Sequence, residues 1–107
     1  MKFKFKITED TTIEDVEKEL EILYNAPVVE LPFNHVAKIA EFLGAELQDS
    51  PRGSMERFKH PLAPTPGSYF GVHVIHKGGN EILIMRANFK KYLYPILMEI
   101  IRIKKTQ

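Results

Sequence analysis

Two β-rich runs joined by a glycine-containing turn constrain this 107-residue chain more than any other feature. Residues 69–76 are rich in aromatic and β-branched side chains, and residues 81–86 hold four consecutive apolar side chains. Residues 77–80 between them include two glycines and an asparagine, which reach the positive φ that tight hairpin turns demand. The pattern therefore predicts an antiparallel hairpin.

A third strand is predicted at residues 54–60, ahead of that hairpin. Side chains alternate along a strand, so Met55 and Arg57 share one face and Phe58 and His60 lie on the other. The connection that follows contains three prolines, which lack the donor a strand ladder needs, and it is predicted to be a loop. We therefore expect one small antiparallel sheet that contains residues 54–60, 69–76 and 81–86.

The first 30 residues are predicted to form a βα unit. Lysine alternates with apolar residues over positions 2–7, which is the pattern of a strand with one buried face. A helix is predicted near residues 12–24, where apolar side chains recur at helical spacing. Two capping pairs are available at the start of this helix: Thr11 with Glu14, and Thr12 with Asp15.

Two further helices are predicted after residue 31. One covers residues 35–43, with Asn34 as its N-cap and Gly44 ending it in the left-handed conformation. The other occupies the C-terminal third, where Pro95 predicts a kink or a delayed start near residue 94. Between them, residues 45–49 read as a short strand. The whole pattern predicts an α+β fold, in which a small antiparallel sheet of three to four strands packs against helices.

Composition narrows the kinds of protein that this chain can be. With 44% hydrophobic residues it can bury one core as a single compact domain, and the absence of cysteine excludes disulfides, thiolate zinc sites and cysteine nucleophiles. The N-terminus lacks the apolar core of a signal peptide, and no apolar run approaches the roughly 20 residues of a membrane span. We expect a cytoplasmic protein with no membrane contact.

Charge is unevenly distributed along the chain. Residues 1–31 carry four lysines against eight acids, and the remainder carries eleven lysines and arginines against six acids. A basic region of this kind indicates a polyanionic partner, and we expect RNA. The predicted RNA contacts are Arg52, Arg57, Lys59, Lys77, Arg86, Lys90 and Lys91.

Three histidines accompany these basic residues, at positions 60, 73 and 76. Imidazole titrates near neutral pH, so His60, His73 and His76 are candidates for acid–base chemistry on an RNA phosphodiester. No ligand spacing such as His-x-x-x-His occurs, and His73 and His76 differ in parity, so on a regular strand they face opposite sides. No nucleotide- or cofactor-binding fingerprint occurs either. We therefore predict neither a metal nor a cofactor.

The chain from residue 31 to residue 103 resembles the HicA family of small toxin ribonucleases. The resemblance rests on Leu-Pro at 31–32 leading into a helix, on Phe-Leu-Gly-Ala-Glu-Leu at 42–47, and on Arg-Gly-Ser at 52–54. It implies an αβββα fold like that of the double-stranded-RNA-binding domain over residues 31–107, preceded by a βα extension at 1–30. It also implies mRNA cleavage by a histidine on the second strand, and inhibition by a HicB antitoxin.

Met55 departs from that pattern, because the family typically keeps its histidine at this position. A thioether cannot transfer a proton, so we expect an RNA-binding domain whose catalytic histidine has been lost or relocated. A strand at 81–86 also stands where the family passes quickly to its last helix.

The alternative is a non-catalytic protein-interaction or regulatory module that dimerises through its C-terminal helix. Its support is Met55, the net charge of +1, and the long apolar run at residues 92–101.

Overall fold

The computed structural model describes residues 3–49 and 53–107. Within these residues the chain forms three helical segments and two small antiparallel sheets of three strands each, which confirms the predicted α+β fold. The strands are β1 (Glu30–Pro32), β2 (Glu46–Gln48), β3 (Met55–Lys59), β4 (Tyr69–His73), β5 (Ile75–His76) and β6 (Ile82–Met85).

Two sheets replace the single sheet that the sequence predicted. One has the strand order β1-β6-β5 and the other the order β2-β3-β4. The run at 69–76 changes partner at Val74, because β3 begins at Met55, opposite His73, and has no strand residue to pair with the chain beyond that point. The predicted hairpin turn joins β5 to β6, with Lys77 N–H donating to the Glu81 carbonyl at 2.9 Å.

The first helix, α1 (Ile13–Asn25), is capped by the second of the two predicted pairs. The Asp15 N–H donates to Thr12 Oγ1 at 3.1 Å, and the Thr12 N–H donates to Asp15 Oδ2 at 3.0 Å. The hydrogen bond from the Thr12 backbone holds the pKa of Asp15 below its ordinary value. The acidic side chains in the first turn also suit the positive end of the helix dipole.

The strand predicted at residues 2–7 does not form in the part of this segment that is described. Residues 3–7 are extended and alternate between partly buried and exposed side chains, but they join neither sheet. Lys2 lies outside the described residues. The side chains of Phe3, Phe5 and Ile7 lie beside the helix at Phe33–Phe42 and pack against the core. A helix offers no strand edge for a hydrogen-bonded ladder, so the period-2 pattern here reflects side-chain packing alone.

The second helix, α2 (Phe33–Phe42), begins directly after β1. Pro32 occupies the N-cap position, so the prediction of Asn34 as the cap is wrong: the strand runs straight into the helix. Gly44 has φ +100°, as predicted for the residue that ends this helix. A Cβ atom there would also lie 3.2 Å from the ring nitrogen Nε2 of His60.

The C-terminal helical segment consists of a helical turn, α3 (Arg86–Asn88), a π-helical turn (Phe89–Leu93) and α4 (Tyr94–Thr106). Pro95 lies in the first turn of α4, where its missing N–H is tolerated, which confirms the predicted interruption. The predicted αβββα order is therefore present as α2, β2, β3, β4 and the last helix. The strands β5 and β6 are inserted before that helix. No helix in residues 3–49 or 53–107 is long and apolar enough to cross a membrane.

One hydrophobic core includes side chains from both ends of the chain. Val16, Leu20 and Leu23 of α1 are fully buried in the same cluster as Phe58 of β3. The C-terminal segment contributes the fully buried Phe89, Leu93, Leu97, Ile100 and Ile101. Much of the apolar run at 92–101 therefore packs in the core of this chain. Tyr92 is the large side chain of the run that stays exposed, at 43%.

Candidate nucleic-acid interface

The solvent-facing side of the β2-β3-β4 sheet, called the outer face below, collects a group of basic and aromatic side chains. Its position follows from the strand register, because residues directly opposite each other in an antiparallel pair point to the same face. The cross-strand pairs on this face are Glu46 with Lys59, Gln48 with Arg57, Lys59 with Tyr69, Arg57 with Gly71 and Met55 with His73. The other face carries Phe58 and Phe70, which are buried and stacked at 5.5 Å.

Tyr69 lies beside two cations on the outer face. The Arg57 guanidinium lies 4.8 Å and the Lys59 ammonium 5.1 Å from the centroid of its ring. Both distances fall within the range at which a cation is attracted to an aromatic face. Tyr69 remains 37% exposed, so the sheet presents an aromatic side chain with two positive charges beside it.

Gly71 allows the backbones of β3 and β4 to approach closely in the middle of the outer face. It is the cross-strand partner of Arg57, and a Cβ atom at this position would lie 2.5 Å from the carbonyl oxygen of Glu56 and 3.1 Å from Cα of Arg57. Both neighbours are backbone atoms, which cannot rotate away as the end of a side chain can. The close approach of β3 and β4 therefore depends on glycine here.

The remaining predicted RNA contacts do not gather on this face. Lys77 pairs with Glu30 at 3.1 Å, Lys90 lies 4.5 Å above the ring of Tyr24, and Lys91 lies 5.2 Å above the ring of Tyr92. Arg52 lies outside the described residues. The outer face thus holds two members of the predicted set, Arg57 and Lys59.

Arg86 is occupied by the backbone at the end of α1. Its Nε donates to the Val28 carbonyl at 2.8 Å, and its Nη1 donates to the Tyr24 carbonyl at 2.7 Å. Its own N–H donates to the Val29 carbonyl at 2.8 Å. The guanidinium therefore satisfies one carbonyl in the last turn of α1, that of Tyr24, and one in the chain just beyond the helix, that of Val28.

Of the three candidate histidines, His60 is part of the core. It is 3% exposed, its Nε2 lies 2.7 Å from the Leu43 carbonyl oxygen, and its Nδ1 accepts from the Leu62 N–H at 3.0 Å. A carbonyl requires a donor and an N–H requires an acceptor, so the ring is the neutral tautomer with its proton on Nε2. Both nitrogens are used by the backbone, and neither is free to accept a proton from a substrate.

His73 and His76 lie near the surface in different settings. His73 is exposed on the outer face, directly opposite Met55, the position where the resembling family keeps its histidine. His76 is exposed on β5, and its Nε2 hydrogen-bonds to the Gly53 carbonyl. The outer face therefore carries one of the three candidate histidines, His73.

Sequence reasoning missed two features that depend on tertiary pairing. Tyr69 was not among the predicted site residues, because its position beside Arg57 and Lys59 follows from the β3–β4 register across a nine-residue connection. The second feature is the pairing of His35 with Glu19: His35 is partly buried, with Nε2 2.7 Å from the carboxylate oxygen Oε2 of Glu19. Within residues 3–49 and 53–107, no group of three or more histidine or acidic side chains is arranged to hold a metal ion.

Comparisons with protein-family models, with curated proteins and with solved structures found no match to this chain. The resemblance to HicA stays a prediction.

Proposed function

We propose that the protein binds RNA through the outer face of the β2-β3-β4 sheet. The observation that carries this proposal is the exposed side chain of Tyr69 on β4, which lies next to the cations of Arg57 and Lys59 on the neighbouring strand β3. A cation next to an aromatic ring offers both of the contacts that bind single-stranded nucleic acid. The ring stacks on a base, and the cations bind the adjoining phosphates.

A single strand suits this face better than an A-form duplex. In a duplex the bases are stacked on each other, so their faces are closed to an aromatic side chain. An unpaired base exposes that face and can lie on Tyr69. The base would take the place of the two cations over the ring, and the cations would turn toward phosphate oxygens.

The double variant Arg57→Ala/Lys59→Ala tests this proposal. We expect its affinity for a fluorescently labelled single-stranded RNA to fall at least about tenfold at low salt, because two phosphate contacts are lost. The slope of log affinity against log salt should also decrease in magnitude by about 1.4, since each single-strand phosphate contact contributes about 0.7.

The matched control is Lys6→Ala/Lys38→Ala, which removes the same charge from exposed lysines outside the sheet. Its RNA affinity should stay close to that of the unmodified protein. An equal loss of affinity in both double variants would mean that net charge alone governs binding, and would overturn the assignment to the outer face.

We also propose that any ribonuclease activity depends on His73. It is the cross-strand neighbour of Met55, so an imidazole lies beside the position that the HicA pattern reserves for its base. General acid–base catalysis contributes about 10²- to 10⁴-fold, and a displaced base recovers part of that factor at most. A HicB-like antitoxin, if present, would inhibit by covering the same face.

We expect purified protein to cleave RNA slowly at most, and His73→Ala to remove whatever cleavage is detected. Gel analysis of a labelled mRNA over several hours measures this. His76→Ala serves as the control, because its imidazole lies outside the outer face. Rapid cleavage that survives His73→Ala would contradict the proposed role.

The dimerising interaction module has less support than RNA binding. Its main argument was the apolar run of the C-terminal helix, and four apolar side chains of that run are fully buried in the core of the chain itself: Leu93, Leu97, Ile100 and Ile101.

A further inference from the structure

A groove of about 810 Å³ lies between the extended N-terminal segment, residues 3–7, and one side of α2. Its walls combine apolar side chains, which include Phe3, Phe5 and Phe42, with the polar side chains of Lys6, Lys38, Glu41 and His35. A concave site of this size with an apolar lining and a few polar groups is typical of small-molecule binding sites. None of these residues belongs to the outer face.

His35 lies at the aromatic end of the groove. Its ring stacks on Phe3 at a centroid distance of 5.6 Å and meets Phe5 edge-on at 6.3 Å. Its Nε2 is 2.7 Å from the carboxylate of Glu19, which is only 5% exposed. This buried carboxylate is thus engaged by the imidazole, and among the described residues Nδ1 of His35 has no hydrogen-bond partner.

Charged groups around the groove favour an anion. Lys6 and Lys38 are exposed at its rim, where one carboxylate, Glu41, opposes them. The buried Glu19 carboxylate lies outside the lining of the groove and accepts a hydrogen bond from His35 Nε2. A ligand that carries one negative charge can therefore meet two ammonium groups.

We propose that this groove binds a small amphipathic carboxylate, with an aromatic body between the phenylalanine rings and its carboxylate directed at Lys38 and Lys6. The rings of Phe3, Phe5 and Phe42 are only partly buried by the chain, so an apolar body would remove further apolar surface from water. Glu41 at the rim disfavours ligands with several negative charges. The site is independent of the proposed RNA-binding function.

The probe for this proposal is 2-naphthoate, compared with the neutral 2-naphthamide of the same shape. Titration followed by two-dimensional amide NMR should show saturable 2-naphthoate binding, with shifts concentrated at residues 3–7 and 35–42. The variant Lys6→Ala/Lys38→Ala should bind 2-naphthoate about tenfold more weakly, because a charge-assisted contact is lost, and should bind 2-naphthamide as before. Both lysines are exposed, so the variant should fold normally.

The outer-face variant Arg57→Ala/Lys59→Ala is the matched control and should bind 2-naphthoate with unchanged affinity. Three results would each overturn the proposal: no saturable binding to the unmodified protein, equal affinity of Lys6→Ala/Lys38→Ala for 2-naphthoate, or shifts that lie mainly outside the groove. Loss of RNA binding in the outer-face variant with retained 2-naphthoate binding would show that the two sites are separate.

Discussion

Replacement of His60 by alanine should lower the free energy of unfolding by about 3 kcal/mol, a large fraction of the stability of a small domain. The substitution leaves the Leu43 carbonyl and the Leu62 N–H without their partner, and it opens a cavity where a ring is 97% buried. Leu43 lies at the end of α2, so the helix also loses a group that satisfies its terminal carbonyls. Urea denaturation followed by circular dichroism measures the change.

The comparison variant for this prediction is His73→Ala. His73 is exposed, so its replacement should change the unfolding free energy by no more than about 0.5 kcal/mol. A His60→Ala protein that is as stable as His73→Ala would contradict the structural role of His60.

Replacement of Gly71 by alanine should lower the unfolding free energy by about 2–3 kcal/mol. The new Cβ would lie 2.5 Å from the Glu56 carbonyl oxygen, so β3 and β4 would have to separate or twist. Because Arg57 is the cross-strand partner of Gly71, the same distortion should also displace Arg57 from Tyr69 and weaken RNA binding.

Gly78 provides a matched glycine for this experiment. A Cβ there meets no atom within 4 Å, and its φ is not in the left-handed region. Gly78→Ala should therefore be neutral within about 0.5 kcal/mol by the same urea denaturation. Similar stabilities of the Gly71→Ala and Gly78→Ala proteins would show that the sheet accommodates the extra methyl group.

Local signals in the sequence predicted most of the individual elements. The capping pair Thr12 and Asp15, the hairpin turn at 77–80 and the interruption at Pro95 depend on neighbouring residues, and all three are present. The division into two sheets is different, because it depends on which distant strand each half of 69–76 meets. A period-2 pattern is the same for one strand with one partner and for two strands with two partners.

The candidate site shows the same limit. Alternation along β3 was enough to place Arg57 and Lys59 on one face, but the register with β4 was needed to bring Tyr69 to them. The roles of His60 and His35 depend on partners 17 and 16 residues away, Leu43 and Glu19. The spacing rules that identify metal ligands or catalytic groups in a sequence do not detect hydrogen bonds between residues this far apart.

The central claim, that the outer face binds RNA, is tested most directly by mapping the contact on the protein. Amide NMR spectra recorded during titration with a short single-stranded RNA at low salt report which residues change environment. We predict that the largest shifts occur at residues 55–59 and 69–73 and that they diminish as salt is raised, since phosphate contacts release counterions. Shifts confined to residues 86–94, where Arg86, Lys90 and Lys91 lie, or no shift at low salt, would contradict it.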